Sequence, residues 1–364
     1  MHYPALLFSL LGLLLLIAGA EGLVRGASGL ARRLGISPLV IGLTVVSFGT
    51  SSPEMAVSVL SALSGKADIA VGNVVGSNIF NVLFILGFSA SITPLAVSLQ
   101  VIRLDVPIMI AASVLAFFFG LNGSIGRLEG IIFTAAFGGY LALMIKRSRR
   151  EKGKIQEAPS GIGTKGQERK WGSATWQVIL IAFGLVLLVA GARLLVGGAT
   201  EIARGLGVSE LVIGLTVVAA GTSLPEVATS VTASIRGERD IAVGNVVGSN
   251  IFNVLAILGT AGIIATDGMT VSPALLGFDI PVMIASSVAC LPIFFTGHLI
   301  ARWEGLLFLG YYGAYTAFLI LKSSEHAALP MFGVVMVGFV LPITVVTLLT
   351  ITIRSIREKR HRLR

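Results

Sequence analysis

Two carboxylates stand where apolar sequence should hold none. The segments GTSSPE (Gly49 to Glu54) and GTSLPE (Gly221 to Glu226) each place a glutamate inside a long hydrophobic run. In mid-membrane such a group costs about 3 kcal/mol or more on insertion scales and needs a partner. No Lys or Arg falls in the middle of any predicted helix, so the expected partner is a mobile cation. Pro53 and Pro225 lack an N–H and crowd the carbonyl four residues back, which leaves the C=O groups of Gly49 and Gly221 to be satisfied by something else. Hydrocarbon cannot do this, and a bound ion can. Thr50, Ser51 and Glu54 share one helical turn, as do Thr222, Ser223 and Glu226.

The stretch DIAVGNVVGSNIFNVL follows each motif, at Asp68 to Leu83 and again, letter for letter, at Asp240 to Leu255. On an α-helix Asn73, Ser77 and Asn81 form one polar stripe beside Gly72 and Gly76, and Asn245, Ser249 and Asn253 form another beside Gly244 and Gly248. The glycines and outer asparagines also have a simpler reading, as close-packing and hydrogen-bonding glue between helices. Brought together, the copies offer Glu54 and Glu226, several hydroxyls and carbonyls, and the amides of Asn81 and Asn253. This all-oxygen set suits Ca2+, which takes 6–8 oxygens in flexible geometry, better than Mg2+ or a thiophilic metal.

The elements that must position these groups are transmembrane helices. The chain has 364 residues, 55% hydrophobic and 12% charged, with mean hydropathy +0.92. That composition belongs to a polytopic membrane protein. Apolar runs of spanning length predict helices at 5–24, 39–63, 69–92, 104–121, 128–146, 176–197, 210–234, 241–264, 278–295, 303–321 and 330–353. Residues 5–20 resemble a signal-peptide core, but LIAGAEGLVRGA (Leu16 to Ala27) matches LVAGARLLVGGA (Leu188 to Ala199), so the first helix is expected to be retained.

LVIGLTVVSFGTSSPEMAVSV (Leu39 to Val59) aligns with LVIGLTVVAAGTSLPEVATSV (Leu211 to Val231), DVPIM at Asp105 with DIPVM at Asp279, and RLEG at Arg127 with RWEG at Arg302. The organisation expected is a five-helix repeat at 1–146, a basic linker at 147–175, a second repeat at 176–322, and an additional helix with a basic tail at 323–364. Because five is odd, the second copy must enter the membrane from the opposite side, as in inverted-repeat transporters. With the N-terminus outside, 22 of the 27 Lys and Arg residues lie on cytoplasmic segments, as the positive-inside rule requires. The eleventh helix then returns the tail REKRHRLR to the cytoplasmic side.

The doubled GTSSPE and GNVVGSNIFN motifs resemble those of the cation/calcium antiporter family, which includes the sodium/calcium exchangers, over residues 5–321. The resemblance implies an all-α core of ten helices, in which the second, third, seventh and eighth enclose a row of ion sites while the first and sixth move to give alternating access. It also implies that Thr50, Ser51, Glu54, Ser77, Asn81, Thr222, Ser223, Glu226, Ser249 and Asn253 are ion ligands. In many sodium/calcium exchangers the position of Asn253 is Asp, so the counter-ion, Na+ or H+, stays open.

Other features take simpler readings. Asp68 and Asp240 are expected to cap helices, and Asp105 and Asp279 lie near helix starts. Glu21 and Arg193 occupy equivalent positions and could pair. The single cysteine, Cys290, excludes an intrachain disulfide. The net charge of +9 follows from the loops and tail rather than from nucleic-acid binding. No nucleotide motif is evident, which disfavours ATP-driven pumping. The expectation is a secondary antiporter expelling Ca2+ against Na+ or H+ from a prokaryotic inner membrane. It requires no enzyme activity, no cofactor and no protein partner, only the ions and the bilayer. A cation channel and a membrane scaffold are the competing classes.

Overall fold

The computed structural model describes residues 3–157, 173–206, 219–347 and 349–350. Among these residues nine helices are long and apolar enough to cross a membrane, and two shorter ones in series make a tenth crossing. In chain order they are α1 (Tyr3–Leu34), α2 (Pro38–Thr50), α3 (Ser52–Leu63), α4 (Ile69–Ile92), α5 (Val101–Gly120), α6 (Arg127–Glu157), α7 (Ala174–Gly205), α8 (Leu224–Ile235), α9 (Arg239–Ile264), α10 (Leu275–Phe295), α11 (Arg302–Ser323) and α12 (Leu329–Thr347). The start of the expected span 210–234, part of the linker and the basic tail at 354–364 lie outside the described residues.

Local chemistry sets the breaks. Ser37 accepts from the Val40 amide and Pro38 opens α2, a pairing that starts a helix where the first N–H groups need outside partners. The chain bends by 48° between α2 and α3, at Ser51, two residues before Pro53. Ser223 has the same φ and ψ within about 10° and lies just before α8, so both motifs break their helix at the equivalent serine. Gly65 and Gly237, with φ of 71° and 77°, turn the chain from α3 into α4 and from α8 into α9. Such angles strain any side chain.

α4 and α9 lie at the centre of the molecule, and α9 is buried without interruption from Ile241 to Gly259. On the periphery α1 and α7 pack on each other antiparallel. A Cβ on Gly12 would come within 2.7 Å of the Gly191 carbonyl, and one on Gly19 within 2.7 Å of the Gly184 carbonyl. Small residues at this spacing bring two helix backbones together where apolar burial gives no drive. Two strand pairs tie connectors together: β1 (Leu95–Ala96) with β4 (Leu299–Ile300), and β2 (Ser124–Ile125) with β3 (Met269–Thr270). By the sequence repeat β1 corresponds to β3 and β2 to β4, so each pair joins non-equivalent connectors.

Several expectations change. The first and sixth helices, expected at 5–24 and 176–197, run on to Leu34 and Gly205. Buried Ala27 and Ala31 carry the packing face of α1 past its apolar run, so Arg25, Arg32 and Arg33 lie on helix rather than loop. The fifth helix continues to Glu157, into the expected linker. Asp68 and Asp240 are not at the capping positions, which are Lys66 and Glu238, neither with a side-chain capping bond; Asp240 falls in the first turn of α9, and Asp68 in the helical stretch Ala67–Ile79 that opens α4. Glu21 pairs with Arg25 at 2.5 Å and with Arg236, not with Arg193. α12 has no buried residue in its candidate span and is hydrogen-bonded to α11 by Tyr311, whose hydroxyl donates to Thr344 Oγ1 at 2.5 Å.

Candidate ion-binding site

The two helix breaks meet at the centre. Ser51 Oγ donates to Glu226 Oε1 at 2.8 Å, and Ser223 Oγ donates to Glu54 Oε1 at 2.9 Å. Each half thus orients the carboxylate of the other half with the serine at its own break. Both glutamates are 1% exposed, and the second oxygen of each, Oε2, has no hydrogen-bond partner. Among the described residues neither carboxylate has a Lys or Arg within ion-pair distance. A buried anionic oxygen without a partner is costly, and a cation is what this pair can take.

The surrounding oxygens come from α4 and α9. Ser77 Oγ lies 3.4 Å from Ser223 Oγ. Ser249 Oγ is buried and unpartnered. Asn81 and Asn253, each 1% exposed, leave their Oδ1 atoms unpartnered. Both asparagines lie in π-helical turns, Phe80–Leu86 and Asn253–Leu258. The extra residue in such a turn re-aims the side chains and is frequent at functional sites.

Thr50 Oγ1 donates to Asn245 Oδ1 at 3.1 Å and is fully buried, while Thr222 beside the second break is half-buried. Gly49 and Gly221 are buried with their Cα atoms against α7. A Cβ on Gly49 would sit 2.7 Å from Leu185 Cδ1, and one on Gly221 2.6 Å from Val196 Cγ2. The glycines therefore have a packing role.

The polar stripe divides by function. Asn73 Nδ2 donates to Ser58 Oγ at 3.0 Å and to the Glu54 carbonyl at 3.3 Å, and Asn245 Nδ2 donates to Ser230 Oγ at 3.0 Å and to the Glu226 carbonyl at 3.5 Å. These outer asparagines tie the broken helices to α4 and α9, the glue reading. Gly244 and Gly248 do likewise: their Cα atoms lie against the α2 backbone, where a Cβ would come within 3.1 Å of Leu39 O and 2.7 Å of Leu43 O. Sequence reasoning misses Asn78 and Asn250, which fall off the four-residue stripe yet are buried beside the site.

Asp105 and Asp279 belong elsewhere. Asp105 is buried and accepts from Tyr140 Oη at 3.3 Å and from Gln100 Nε2 at 3.4 Å, while Asp279 accepts from Tyr315 Oη at 2.8 Å. These carboxylate–tyrosine pairs join α5 to α6 and α10 to α11.

A family model described as sodium/calcium exchanger protein matches residues 4–146 and 176–321. The chain is 42% identical over 289 residues to the putative antiporter CaxA of Alkalimonas amylolytica, covering 79% of this chain and 88% of that protein. It is 34% identical over 339 residues to the sodium/calcium exchanger MaX1 of Methanosarcina acetivorans, covering 85% of this chain and 96% of that one. The fold matches the sodium–calcium exchanger NCX_Mj with a TM-score of 0.74 at 30% identity, over 88% of this chain and all of that one. The chain is an integral membrane cation/Ca2+ antiporter, not an enzyme, and it belongs to the sodium/calcium exchanger family.

Proposed function

We propose that this protein exchanges Ca2+ for Na+ by alternating access, with the ions held between Glu54 and Glu226. The observation that carries this reading is the crossed pair of serine–carboxylate bonds, which leaves one free oxygen on each glutamate. Thr50, Ser51, Ser77, Asn81, Thr222, Ser223, Ser249 and Asn253 complete the oxygen set, with the carbonyls of Gly49 and Gly221. The ions are cargo, so their ligands must release them to either face.

The two halves act as inverted repeats. Supporting this, the equivalent helices α1 and α7 run antiparallel, and each strand pair joins non-equivalent connectors. In an inverted pair the same site can open to either side by a related motion of each half. The α1–α7 pair is the element proposed to move, the N-terminus faces outward, and the C-terminal tail faces the cytoplasm of a prokaryotic cell.

A second reading, H+ in place of Na+, is favoured by one observation: Asn81 and Asn253 add no charge, and a buried carboxylate can be neutralised by a proton as well as by Na+. The relative MaX1 is named a sodium/calcium exchanger, whereas CaxA is named only an antiporter. The test is 45Ca2+ uptake into proteoliposomes under an imposed Na+ or pH gradient. Uptake driven by outward Na+ at matched pH supports the first reading. Uptake driven only by a pH gradient replaces it with the second, and uptake with neither gradient and without trans-stimulation by Ca2+ means a channel.

A further inference from the structure

We infer that Asn78 and Asn250 are positioning residues that lock the side-chain amides of Asn253 and Asn81 with their oxygens toward the ions, and so select amide over carboxylate at positions 81 and 253. This rests on the site proposed above. Asn78 and Asn250 are 1% and 0% exposed and face each other where α4 crosses α9. Asn78 Nδ2 donates to the Asn250 carbonyl at 3.3 Å, and Asn250 Nδ2 returns the same bond to the Asn78 carbonyl at 3.3 Å. The same Nδ2 atoms also contact a thioether, Met283 Sδ at 3.6 Å for Asn78 and Met109 Sδ at 3.5 Å for Asn250.

These contacts determine which way each amide faces. Turning Asn78 by 180° would place Oδ1 against a carbonyl oxygen and a sulfur, acceptor against acceptor, and the same holds for Asn250. Asn78 Oδ1 must therefore point away from that crossing, where it accepts from Asn253 Nδ2 at 3.0 Å. Asn250 Oδ1 accepts from Asn81 Nδ2 at 3.0 Å. With their NH2 groups engaged, Asn81 and Asn253 can present only Oδ1, and those are the two unpartnered buried amide oxygens at the site.

The same chain of bonds makes a carboxylate unwelcome at 81 or 253. An aspartate there has no donor for Asn78 or Asn250, so its oxygen would stand against theirs, buried and acceptor against acceptor. The crossed asparagines thus hold the pocket to the two acidic groups of Glu54 and Glu226. Partners of this kind, outside the ligand set, typically change metal affinity about 10–100-fold when removed.

The test is a double-mutant cycle of Asn78→Leu and Asn253→Asp, read as the half-maximal Ca2+ concentration and the maximal rate of exchange in proteoliposomes. In the native background Asn78→Leu frees the Asn253 amide, and the half-maximal concentration is expected to rise about tenfold with the maximal rate within about twofold. In the Asn253→Asp background both terminal atoms of that side chain are oxygens and need no orienting, so Asn78→Leu removes only the repulsion and lowers the half-maximal concentration. A loss of packing would raise it in both backgrounds, and a same-sign effect in both overturns the proposal. Asn250→Leu with Asn81→Asp applies the same test to the other half if the first pair fails to fold. Glu54→Gln is run alongside: retained exchange there overturns the site itself, whereas abolished exchange with a same-sign cycle overturns only the positioning role.

Discussion

Ser51 and Glu226, 175 residues apart in sequence, are joined by a 2.8 Å hydrogen bond across the centre of the molecule. Its counterpart, Ser223 to Glu54, has nearly the same length. Neither carboxylate is oriented by its own half, so the site exists only when both halves are docked. Hydrogen bonds to charged groups contribute about 1.5–3 kcal/mol, which corresponds to roughly tenfold or more in a binding constant. Ser51→Ala and Ser223→Ala are each expected to raise the half-maximal Ca2+ concentration by about this factor. The two effects should be similar, since the bonds are equivalent. Concentration dependence of 45Ca2+ exchange measures both, and an unchanged half-maximal concentration in either would mean that the serine does not orient the carboxylate.

Glu54→Gln and Glu226→Gln each remove one of the two central negative charges while keeping nearly the same shape. Exchange is expected to fall to background in both, with monodisperse protein still recovered from the membrane. The folded state should tolerate the change, because desolvating a neutral amide costs far less than desolvating an unpartnered carboxylate. Activity together with size-exclusion behaviour separates loss of the site from loss of the fold. Exchange retained in both variants would remove these residues from the ion path.

Much of this is legible in the sequence alone. Glu54 and Glu226 can be read because an ionisable group in a long apolar run has few bland explanations, and the sixteen-residue duplication points to a site with two walls. The π-turns at Phe80–Leu86 and Asn253–Leu258 are not legible, because their side chains are ordinary helix residues. Asn78 escapes for a different reason: one residue past Ser77, it lies about 100° around the same α-helical stretch and faces a different helix. The Glu21–Arg236 pair is illegible because it joins α1 to the end of α8, an adjacency that the repeat does not encode.

That ion pair forms part of a charged seam. Glu21 meets Arg25 and Arg236, and Arg32 meets Glu238 at 3.1 Å. Side-chain exposure runs from 23% at Glu238 to 60% at Arg25, so each pair is worth only about 0–1 kcal/mol and is screened by salt. Glu21→Gln or Glu238→Gln is expected to lower the melting temperature in detergent by no more than a few degrees at low salt, and by less as salt is raised. Scanning fluorimetry across a salt series measures this. A large, salt-insensitive drop would show that these residues carry packing rather than charge.

The charge of the pocket bears on the coupling ratio. Glu54 and Glu226 supply two negative charges, and Asn81 and Asn253, held as amides by Asn250 and Asn78, supply none. One Ca2+ neutralises the pair, as do two Na+ or two H+, whereas a third Na+ would leave an uncompensated positive charge in low dielectric, where burying an ion is expensive. Carbonyl dipoles in the proposed ligand set would offset part of such an excess without cancelling it. The expected exchange is two monovalent ions for each Ca2+, electroneutral and insensitive to voltage. Ca2+ flux in proteoliposomes, measured against imposed Na+ and pH gradients at several K+ diffusion potentials set with valinomycin, gives the reversal condition directly. A flux that reverses at zero driving force for two ions, independent of potential, meets the expectation. An electrogenic exchange of three Na+ for one Ca2+ would show that the carbonyl and hydroxyl dipoles carry a full extra charge, and that pocket charge does not set the coupling ratio here.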